Sequence, residues 1–413
     1  MNAPTTHPAA TRTGLMPEDL RPKIQELYRQ LHSAPELSMQ EHQTAKLIER
    51  ELDALGIEHF RCGGTGVVGL LSRGPGPVVA FRADIDALPL AEDSALPYAS
   101  TAHALLDDGT EVPVMHGCGH DVHTASLIGT AALLVCDTSW SGTVILIFQP
   151  GEETGQGAQA MIEDKLWQKV PTPQVIFAQH VEPGLTNTVS LRPGATLSSG
   201  DSMHVLVKGR GSHGSAPHNS IDPIVLGAHM IVRLQSIVAR EIDPRQTAVV
   251  TVGKFAGGLK DNIIPDSAEF TVNVRTHDAS VRHKVLSSIR RVILGEAQIS
   301  GAEEPVIRVT GEFPQCVNDP DATAELREQF INELGFEHVL EAEQGMASED
   351  FGRLPEAINA PSVFWTFGGF DEVGEHMPRN HSPHFAPILE PTLDTGVRLA
   401  TTAILSVLKQ PNN

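Results

Sequence analysis

The stretch that decides the fold class is TVILIFQPGEE, residues 143–153. Residues 143–148 are β-branched or apolar without alternation, which predicts a strand buried on both faces of a parallel sheet. Shorter apolar runs at residues 78–81 and 175–178 predict two further strands, and residues 123–136 carry the pattern of a helix. Strands that alternate with helices predict an α/β fold with a mostly parallel sheet.

The segment MHGCGHDVH, residues 115–123, places a thiol and an imidazole two residues apart in a glycine-containing loop. Cys118 and His120 are both good ligands for a borderline-soft divalent metal ion. The residues of similar chemistry that follow along the chain are Glu152, Glu153, His180 and His381. Soft and hard ligands, together with a spare carboxylate that can act as a base, are the parts of a two-metal hydrolase.

These side chains share a position relative to the predicted strands. The residues that come shortly after a predicted strand are Asp84, Asp86, Glu152, Glu153 and His180. In open α/β sheets, ligands bind at the carboxyl ends of the strands. We therefore expect these side chains to converge at one edge of the sheet.

The middle of the chain has a different pattern. Alternating half-exposed strands are predicted at residues 202–208, 247–255 and 269–275, and helices at residues 222–238 and 279–294. This β-α-β-β-α-β order predicts an inserted α+β domain of ferredoxin-like type with an antiparallel sheet. The predicted boundaries are 199–310 for the insertion, and 1–198 with 311–413 for a catalytic, metal-binding domain.

Composition and charge narrow the class of protein. The chain has 413 residues and a formal net charge of −21. Such a negative charge argues against nucleic acid or an anionic membrane as a partner. Residues 1–14 are polar and contain no apolar run, so they do not read as a signal peptide. The absence of a long apolar stretch also argues against a membrane span, and a cytoplasmic protein is expected.

The four cysteines, Cys62, Cys118, Cys136 and Cys316, are too few and too scattered for a disulfide framework. Cys118 lies where a metal ligand would lie. The other three are expected to be small buried hydrophobic residues.

Eight short segments together resemble the metal-dependent aminoacylase and glutamate-carboxypeptidase family, and more narrowly its hippurate hydrolase and auxin-conjugate amidohydrolase branch. The segments are FRADIDALP (81–89), MHGCGHDVH (115–123), QPGEE (149–153), HV (180–181), GSH with PH (211–213 and 217–218), NIIPD (262–266), SEDF (348–351) and HSP (381–383). Each segment alone is a weak signal, but their joint order is specific.

The resemblance implies a role for each residue of the motifs. It implies two divalent metal ions per subunit, Zn²⁺, Mn²⁺ or Co²⁺, held by Cys118, His120, Glu153, His180 and His381. It implies that Glu152 is the general base and that Asp86 orients a ligand imidazole, which is a common task for a carboxylate behind a metal ligand. Asp84 is not expected to bind metal. His116 and His123 are interpreted as residues behind the ligands or at the helix start.

The insertion is implied to be a lid or dimerisation domain that supplies polar groups without metal. His213, Asn262 and Arg275 match family positions that bind the substrate and the oxyanion, and His213 is also implied to be catalytic. Arg275 could bind a free substrate carboxylate, or could be a surface strand residue. Asn262 could instead be a turn residue. In relatives the histidine reaches the partner's site, which implies a homodimer, or a tetramer.

The leading hypothesis is therefore an amidohydrolase that cleaves a small N-acyl amino acid, such as a hippurate-like conjugate, to a carboxylate and a free amino acid. Metal-activated water would attack the amide carbonyl with Glu152 as the base. A dipeptidase or carboxypeptidase of the same family is the nearest alternative. A third hypothesis is a hydrolase that uses Cys118 as nucleophile, but it gives no role to Glu152 and Glu153. A fourth is a non-catalytic metal-binding protein, which would not need Glu152 as a base.

Overall fold

The structure is a computed structural model that describes residues 16–374 and 377–409. The prediction about residues 1–14 lies outside the described residues. The helices are α1 (Arg21–Ser33), α2 (His42–Ala54), α3 (His120–Cys136), α4 (Gly157–Glu163), α5 (Leu166–Lys169), α6 (Pro223–Arg240), α7 (Ala279–Ile299), α8 (Pro320–Leu334), α9 (Arg353–Glu356) and α10 (Leu389–Leu408).

Within the part of the chain that the structure describes, the strands form one large sheet, one four-stranded sheet and three short two-stranded sheets. They are β1 (Glu58–Cys62), β2 (Gly66–Arg73), β3 (Val78–Asp84), β4 (His103–Leu105), β5 (Glu111–Pro113), β6 (Gly142–Gln149), β7 (Val175–Leu185), β8 (Val189–Leu191), β9 (Gly194–Leu197), β10 (Ser199–Lys208), β11 (Ser212–His213), β12 (Ala248–Gly257), β13 (Ile263–Ile264), β14 (Ser267–Thr276), β15 (Val306–Phe313), β16 (Cys316–Asn318), β17 (Val339–Glu341) and β18 (Ser362–Phe370).

Among the described residues, the first compact unit comprises residues 16–194, 318–343, 353–374 and 377–409. Its eight-stranded sheet has the order β1-β2-β6-β3-β7-β18-β8-β17. The central strands β6, β3, β7 and β18 run parallel, and β2 joins β6 antiparallel. The stretch that carries the fold prediction is β6, whose residues 144–148 are fully buried. The predicted fold class, α/β with a mostly parallel sheet, is confirmed.

Strand register places the ends of the central strands beside each other. Asp84 at the end of β3 pairs with Gln149 at the end of β6. His180 lies within β7, opposite Thr366 of β18, whereas the apolar pattern predicted a strand that ends before it. The strand continues because its polar residues still pair with β18, and apolar periodicity does not report that pairing.

Helix α3 is the most buried helix of this unit and is apolar on almost every face, which is typical of a helix enclosed on all sides. It contacts α1, α10 and β3. The helix begins at His120, three residues before the predicted start, because Gly119 takes a left-handed φ of 82° as its N-cap. Another prediction is wrong: Cys136, at the end of α3, is exposed, while Cys62 and Cys316 are buried.

The second compact unit comprises residues 195–317 and 344–352. Its four-stranded sheet has the order β12-β14-β10-β15, with antiparallel pairing throughout. Helices α6 and α7 pack on it around a separate apolar core that includes Val205, Leu234 and Phe270. The boundary predicted at residue 310 falls within β15, which stays paired with β10 as far as Phe313. A lid or dimerisation role for this unit remains a prediction.

Among residues 16–374 and 377–409, none of the helices combines the length and the hydrophobicity needed to cross a bilayer.

Helix α1 ends in a buried charge network. His32 is only 1% exposed, and its Nδ1 donates to Asp121 Oδ2 at 2.7 Å while its Nε2 donates to Glu92 Oε1 at 2.9 Å. Burial lowers the pKa of His32, but hydrogen bonds and charge attraction from Asp121 and Glu92 raise it to about 10. The imidazolium is therefore the folded form at neutral pH.

Replacing His32 with glutamine is expected to cost about 3–5 kcal/mol of unfolding free energy at pH 6, because two buried carboxylates lose their cation. Because the pKa of His32 is higher in the folded state than in the unfolded state, protonated His32 stabilises the fold. This contribution is fully present below pH 6.5, the ordinary pKa of histidine, and is lost as the pH rises through about 10. The difference between wild type and variant in urea unfolding should therefore shrink from pH 6 to pH 10. Glutamine at the exposed His42 is the control, and a pH-independent difference for His32 would contradict the imidazolium.

Candidate metal centre

A left-handed glycine places Cys118 and His120 on one loop at the start of α3. A Cβ atom at Gly119 would lie 2.4 Å from the Val181 side chain, so the chain packs there without room for any other residue. Cys118 is 8% exposed and His120 is fully buried. Both side chains therefore belong to the interior of the first unit.

The ring of His120 is oriented by Asp86. Its Nδ1 donates to the Asp86 carbonyl oxygen at 3.0 Å and to Oδ1 at 3.1 Å. Its Nε2 is buried and has no hydrogen-bond partner. This nitrogen lies 3.6 Å from Asp84 Oδ2, 3.9 Å from Glu153 Oε1 and 4.0 Å from Glu152 Oε2. An imidazole held through one nitrogen offers the lone pair of the other to a metal ion.

His180 is held in the same way and faces the thiol. Its Nδ1 donates to the Val181 carbonyl oxygen at 2.8 Å, and its Nε2 lies 3.4 Å from Cys118 Sγ. The side chain of Asn380 also approaches the sulfur, at 3.8 Å. The thiol on the loop before α3 is therefore next to a ligand-type nitrogen that belongs to β7.

Glu153 and His381 complete the arrangement. Glu153 Oε2 lies 3.4 Å from His381 Nε2, while its Oε1 is buried without a partner. His381 adopts a left-handed φ of 66°, and its backbone N–H donates to the Gly117 carbonyl at 2.7 Å. This bond ties the His381 segment to the loop that carries Cys118.

The donor set fits divalent metal ions. One group within 4.8 Å contains Cys118, His120 and Glu153, and a second contains Asp84, His120, His123 and His180. The unpaired His120 Nε2 and Glu153 Oε1 are buried polar atoms that require a partner. A thiolate, imidazoles and a carboxylate match a borderline-soft divalent ion.

His123 and Asp84 are near the centre, but their donors and acceptors are already used. His123 Nδ1 donates to Asp84 Oδ1 at 2.5 Å, and His123 Nε2 accepts the Val181 N–H at 2.8 Å. Asp84 Oδ2 also accepts from Arg82 at 2.7 Å. Because a backbone N–H occupies the lone pair of His123 Nε2 and Nδ1 carries the proton donated to Asp84, this imidazole has no lone pair left to offer a metal ion.

The electrostatics of the centre favour a cation. Burial lowers the pKa of His120, but Asp84, Asp86 and Glu153 raise it to about 10. Burial raises the pKa of Cys118 well above its usual range, and Glu153 and Glu152 add to that rise. A divalent ion would replace both protons, since a coordinated thiol is deprotonated outright.

Glu152 is buried, and its carboxylate lies beside the same imidazole as that of Glu153. The first unit thus brings together all the residues predicted as metal ligands, Cys118, His120, Glu153, His180 and His381, with Asp86 behind His120. Two residues that contact the site were not predicted from the sequence. Arg82 donates to Asp84, and Asn380 approaches Cys118 Sγ. An arginine directly after the apolar run 78–81 and two residues before Asp84 is a signal of a buried ion pair.

The second unit contains the other predicted site residues. Pairing of β11 with β13 places His213 opposite Ile263, and the Gly214 N–H donates to the Asn262 carbonyl at 2.8 Å. His213 is exposed, and its Nδ1 is 2.7 Å from Ser215 Oγ.

Arg275 lies in another sheet of the second unit, near the end of β14. Its Nη1 donates to Ser348 Oγ at 2.8 Å and to the Met346 carbonyl at 3.0 Å. These bonds make it a half-buried residue held by its own unit, rather than a freely mobile surface residue.

Comparison with known proteins gives consistent matches. The model of the peptidase family M20/M25/M40 matches residues 80–406. Hippurate hydrolase of Campylobacter jejuni is 38% identical over 359 residues, covering 85% of this chain and 90% of the relative. Thermostable carboxypeptidase 1 of Saccharolobus solfataricus is 36% identical over 370 residues, covering 88% and 90%.

A solved structure agrees with these sequence matches. The YXEP protein of Bacillus subtilis, described as a dinuclear metal binding peptidase from the M20 family, has a TM-score of 0.76 and 32% identity, covering 95% of this chain and 99% of its own. The match and the two groups of ligand-type residues support two divalent metal ions. The predicted resemblance, including that to the hippurate hydrolase branch, is confirmed. The chain belongs to the peptidase family M20/M25/M40, a family of hydrolases.

Proposed function

We propose that this protein is a dinuclear metal-dependent amidohydrolase that cleaves an N-acyl amino acid to a carboxylate and a free amino acid. The observation that carries the proposal is the pair of adjacent glutamates beside the unpaired His120 Nε2, with Glu152 at 4.0 Å and Glu153 at 3.9 Å. Glu153 also lies 3.4 Å from His381 and is proposed as a ligand, and Glu152 is proposed as the general base. A purely metal-binding site needs ligands but not that base.

Cys118, His120, Glu153, His180 and His381 would hold two ions, with Zn²⁺, Mn²⁺ or Co²⁺ as the candidates. The ions supply Lewis acidity, which lowers the pKa of water and polarises a carbonyl. Asp86 holds the His120 ring in its ligand orientation. The lid residues His213, Asn262 and Arg275 are proposed to bind the oxyanion and the substrate carboxylate.

Glu152 would carry the proton through the reaction. It takes a proton from water as the water oxygen bonds to the amide carbon, and then passes that proton to the leaving nitrogen as the C–N bond breaks. The products are a carboxylate from the acyl group and a free amino group on the amino acid. One carboxylate thus serves both steps.

The function is tested by hydrolysis of a panel of conjugates after loading with each ion. The panel contains benzoyl, acetyl, indole-acetyl and aminobenzoyl amino acids, together with dipeptides and longer peptides. Preference for the acyl conjugates supports the proposal. Preference for peptides favours the carboxypeptidase-like alternative, which rests on the similarity to thermostable carboxypeptidase 1.

Metal removal separates the proposal from a cysteine hydrolase. We expect EDTA to abolish hydrolysis and added Zn²⁺, Mn²⁺ or Co²⁺ to restore it, because the proposed reaction depends on the Lewis acidity of the ions. The alternative, a cysteine nucleophile, needs a lowered thiol pKa that yields thiolate. Burial instead raises the pKa of the Cys118 thiol. Activity that survives complete removal of metal, and is lost on thiol alkylation, would contradict the proposed chemistry.

We propose a homodimer with composite sites, in which His213 of one subunit serves the partner's site; a tetramer could be built from such dimers. The exposure of His213 and the family resemblance support this assembly. We also propose a cytoplasmic location, because a reduced compartment suits a metal thiolate. The substrate is a small molecule, so neither nucleic acid nor membrane is a proposed partner.

Co-expression of His213→Ala with Glu152→Gln tests the composite site. Each variant alone is expected to be nearly inactive, but each heterodimer contains one intact site. Random pairing should then restore about a quarter of wild-type activity, since half of the dimers are mixed and half of their sites work. Purified heterodimers without any recovery, or an active monomer by light scattering, would refute the exchange of His213.

A further inference from the structure

The last turn of α1 and the segment that joins it to α2 make three separate contacts with residues that hold or adjoin the proposed metal ligands. We propose that His32, Ser38 and Glu41, all within ten residues of the chain, are positioning residues that set the geometry of the ligands and hence the metal affinity. None of them is placed to bind metal itself. The inference rests on the proposed function, because it assumes that the ligand-type residues hold metal.

Ser38 acts through Asp86. Its Oγ donates to Asp86 Oδ2 at 2.6 Å, and the same oxygen accepts the Glu153 backbone N–H at 3.0 Å. The other oxygen, Oδ1, faces His120 Nδ1 at 3.1 Å. Ser38 therefore restrains the rotation of a carboxylate that holds two ligand-bearing segments at once.

Glu41 acts through the loop that precedes the two glutamates. It is fully buried, and its Oε1 accepts the backbone N–H of Gly151 at 2.8 Å and that of Met39 at 2.8 Å. The hydroxyl of Thr65 donates to Oε2. Gly151 has a left-handed φ of 57°, and a Cβ there would lie 2.5 Å from Met39 Sδ. The chain is thus held at a tight turn immediately before Glu152 and Glu153.

His32 acts on two further ligand segments. On one side it binds Asp121, the neighbour of His120, and on the other it binds Glu92. The next residue, Asp93, donates its N–H to the Pro383 carbonyl at 2.8 Å, two residues beyond His381. One buried imidazolium therefore links the start of α3 with the segment that carries His381.

The contacts share a physical consequence. Each is a hydrogen bond of a buried or half-buried polar group. Each connects to a proposed ligand through one intervening residue or a few. Without Ser38, the Asp86 carboxylate keeps its ligand-facing bonds but gains freedom to rotate, so the His120 ring is less well oriented before metal binds. Loss of a partner behind a ligand typically weakens metal binding about 10–100-fold.

The test measures metal affinity of the metal-free full-length chain by competition between the protein and a chromophoric chelator for Zn²⁺ and for Co²⁺. Ser38→Ala is expected to raise Kd about 10–100-fold, and Ser38→Thr, which keeps the hydroxyl, should restore much of the affinity. The matched control is Ser33→Ala. Ser33 is an exposed serine at the end of α1, and its Oγ donates to the Gln30 carbonyl of the same helix. It should bind like wild type.

Glu41 provides an independent pair of variants. Glu41→Ala removes the acceptor of the Gly151 N–H and is expected to weaken binding at least as much as Ser38→Ala. Glu41→Gln keeps an amide oxygen for both backbone N–H groups, and its NH₂ can donate to the Thr65 hydroxyl, so it should bind close to wild type. This pair decides the matter if Ser38→Ala does not fold.

Urea unfolding of the metal-free variants separates positioning from general stability. Variants that lose unfolding free energy but keep wild-type Kd for both ions would overturn the inference, since the segment would then only stabilise the fold. Wild-type protein that binds no divalent ion would instead overturn the proposed function. The Co²⁺ absorption spectrum gives a second readout, and a spectrum of Ser38→Ala identical to that of wild type would also contradict a change in ligand geometry.

Discussion

Replacing Glu152 with glutamine is expected to lower kcat by about 10²–10⁴-fold while both metal ions stay bound, because a positioned general base contributes about that much. Glutamine keeps the shape of the side chain but cannot take a proton from water. Glu152 lies 4.0 Å from His120 Nε2 in the buried centre, so its carboxylate is beside the residues proposed to hold the ions. Steady-state kinetics with the best conjugate of the panel, together with elemental analysis, measures both effects.

The neighbouring Glu153 is the matched control for this substitution. Glu153→Gln should weaken metal binding, because Glu153 contacts His381 and has a buried oxygen free for an ion. Both variants remove one negative charge at adjacent positions, so a difference between them reports position and not charge. If Glu152→Gln lost the metal and Glu153→Gln kept it, the two roles would be exchanged.

Cys118→Ala is expected to lose most of the bound metal and nearly all activity. The sulfur belongs to the group with His120 and Glu153, and it also lies 3.4 Å from His180 Nε2. A thiolate in that position can serve both ions, so its removal should affect both. Metal content after dialysis, measured by elemental analysis, is the direct readout.

Cys62→Ala is the control for loss of a buried thiol. Cys62 is a free cysteine of the same unit, and its Sγ faces the Met161 carbonyl. It should keep wild-type metal content and kcat, with at most a loss of stability. Near-normal metal content in Cys118→Ala would refute the assignment of Cys118 as a shared ligand.

The elements that could be predicted are those with strong local patterns. The continuous apolar run of β6 predicted a buried parallel strand, and alternation over residues 202–208 and 269–275 predicted half-exposed strands of a second sheet. The convergence of ligand-type residues followed from a general property of parallel sheets, because strand ends with known chemistry meet at one edge. This argument required no knowledge of the pairing partners.

The hydrogen bonds that hold the ligand-type residues in place could not be predicted in the same way. Nothing in the local sequence around Glu41 shows that this residue meets Gly151, which is 110 positions away in the chain. His123 stands three residues from His120 and has the same chemistry, yet its lone pair is used by the Val181 N–H. A contact of this kind depends on the register of β7 against its neighbours.

The sequence by itself determined the two kinds of sheet, the ligand chemistry and the edge of the sheet where that chemistry gathers, since each depends on residue type and local periodicity. Only the tertiary structure decided which histidines present a free nitrogen and which carboxylates are already paired, such as Asp84 with Arg82 and His123. The periodicity that predicts a strand or helix depends on residues close together in the chain. Whether a side-chain nitrogen or oxygen is already hydrogen-bonded depends instead on which distant group folding brings next to it.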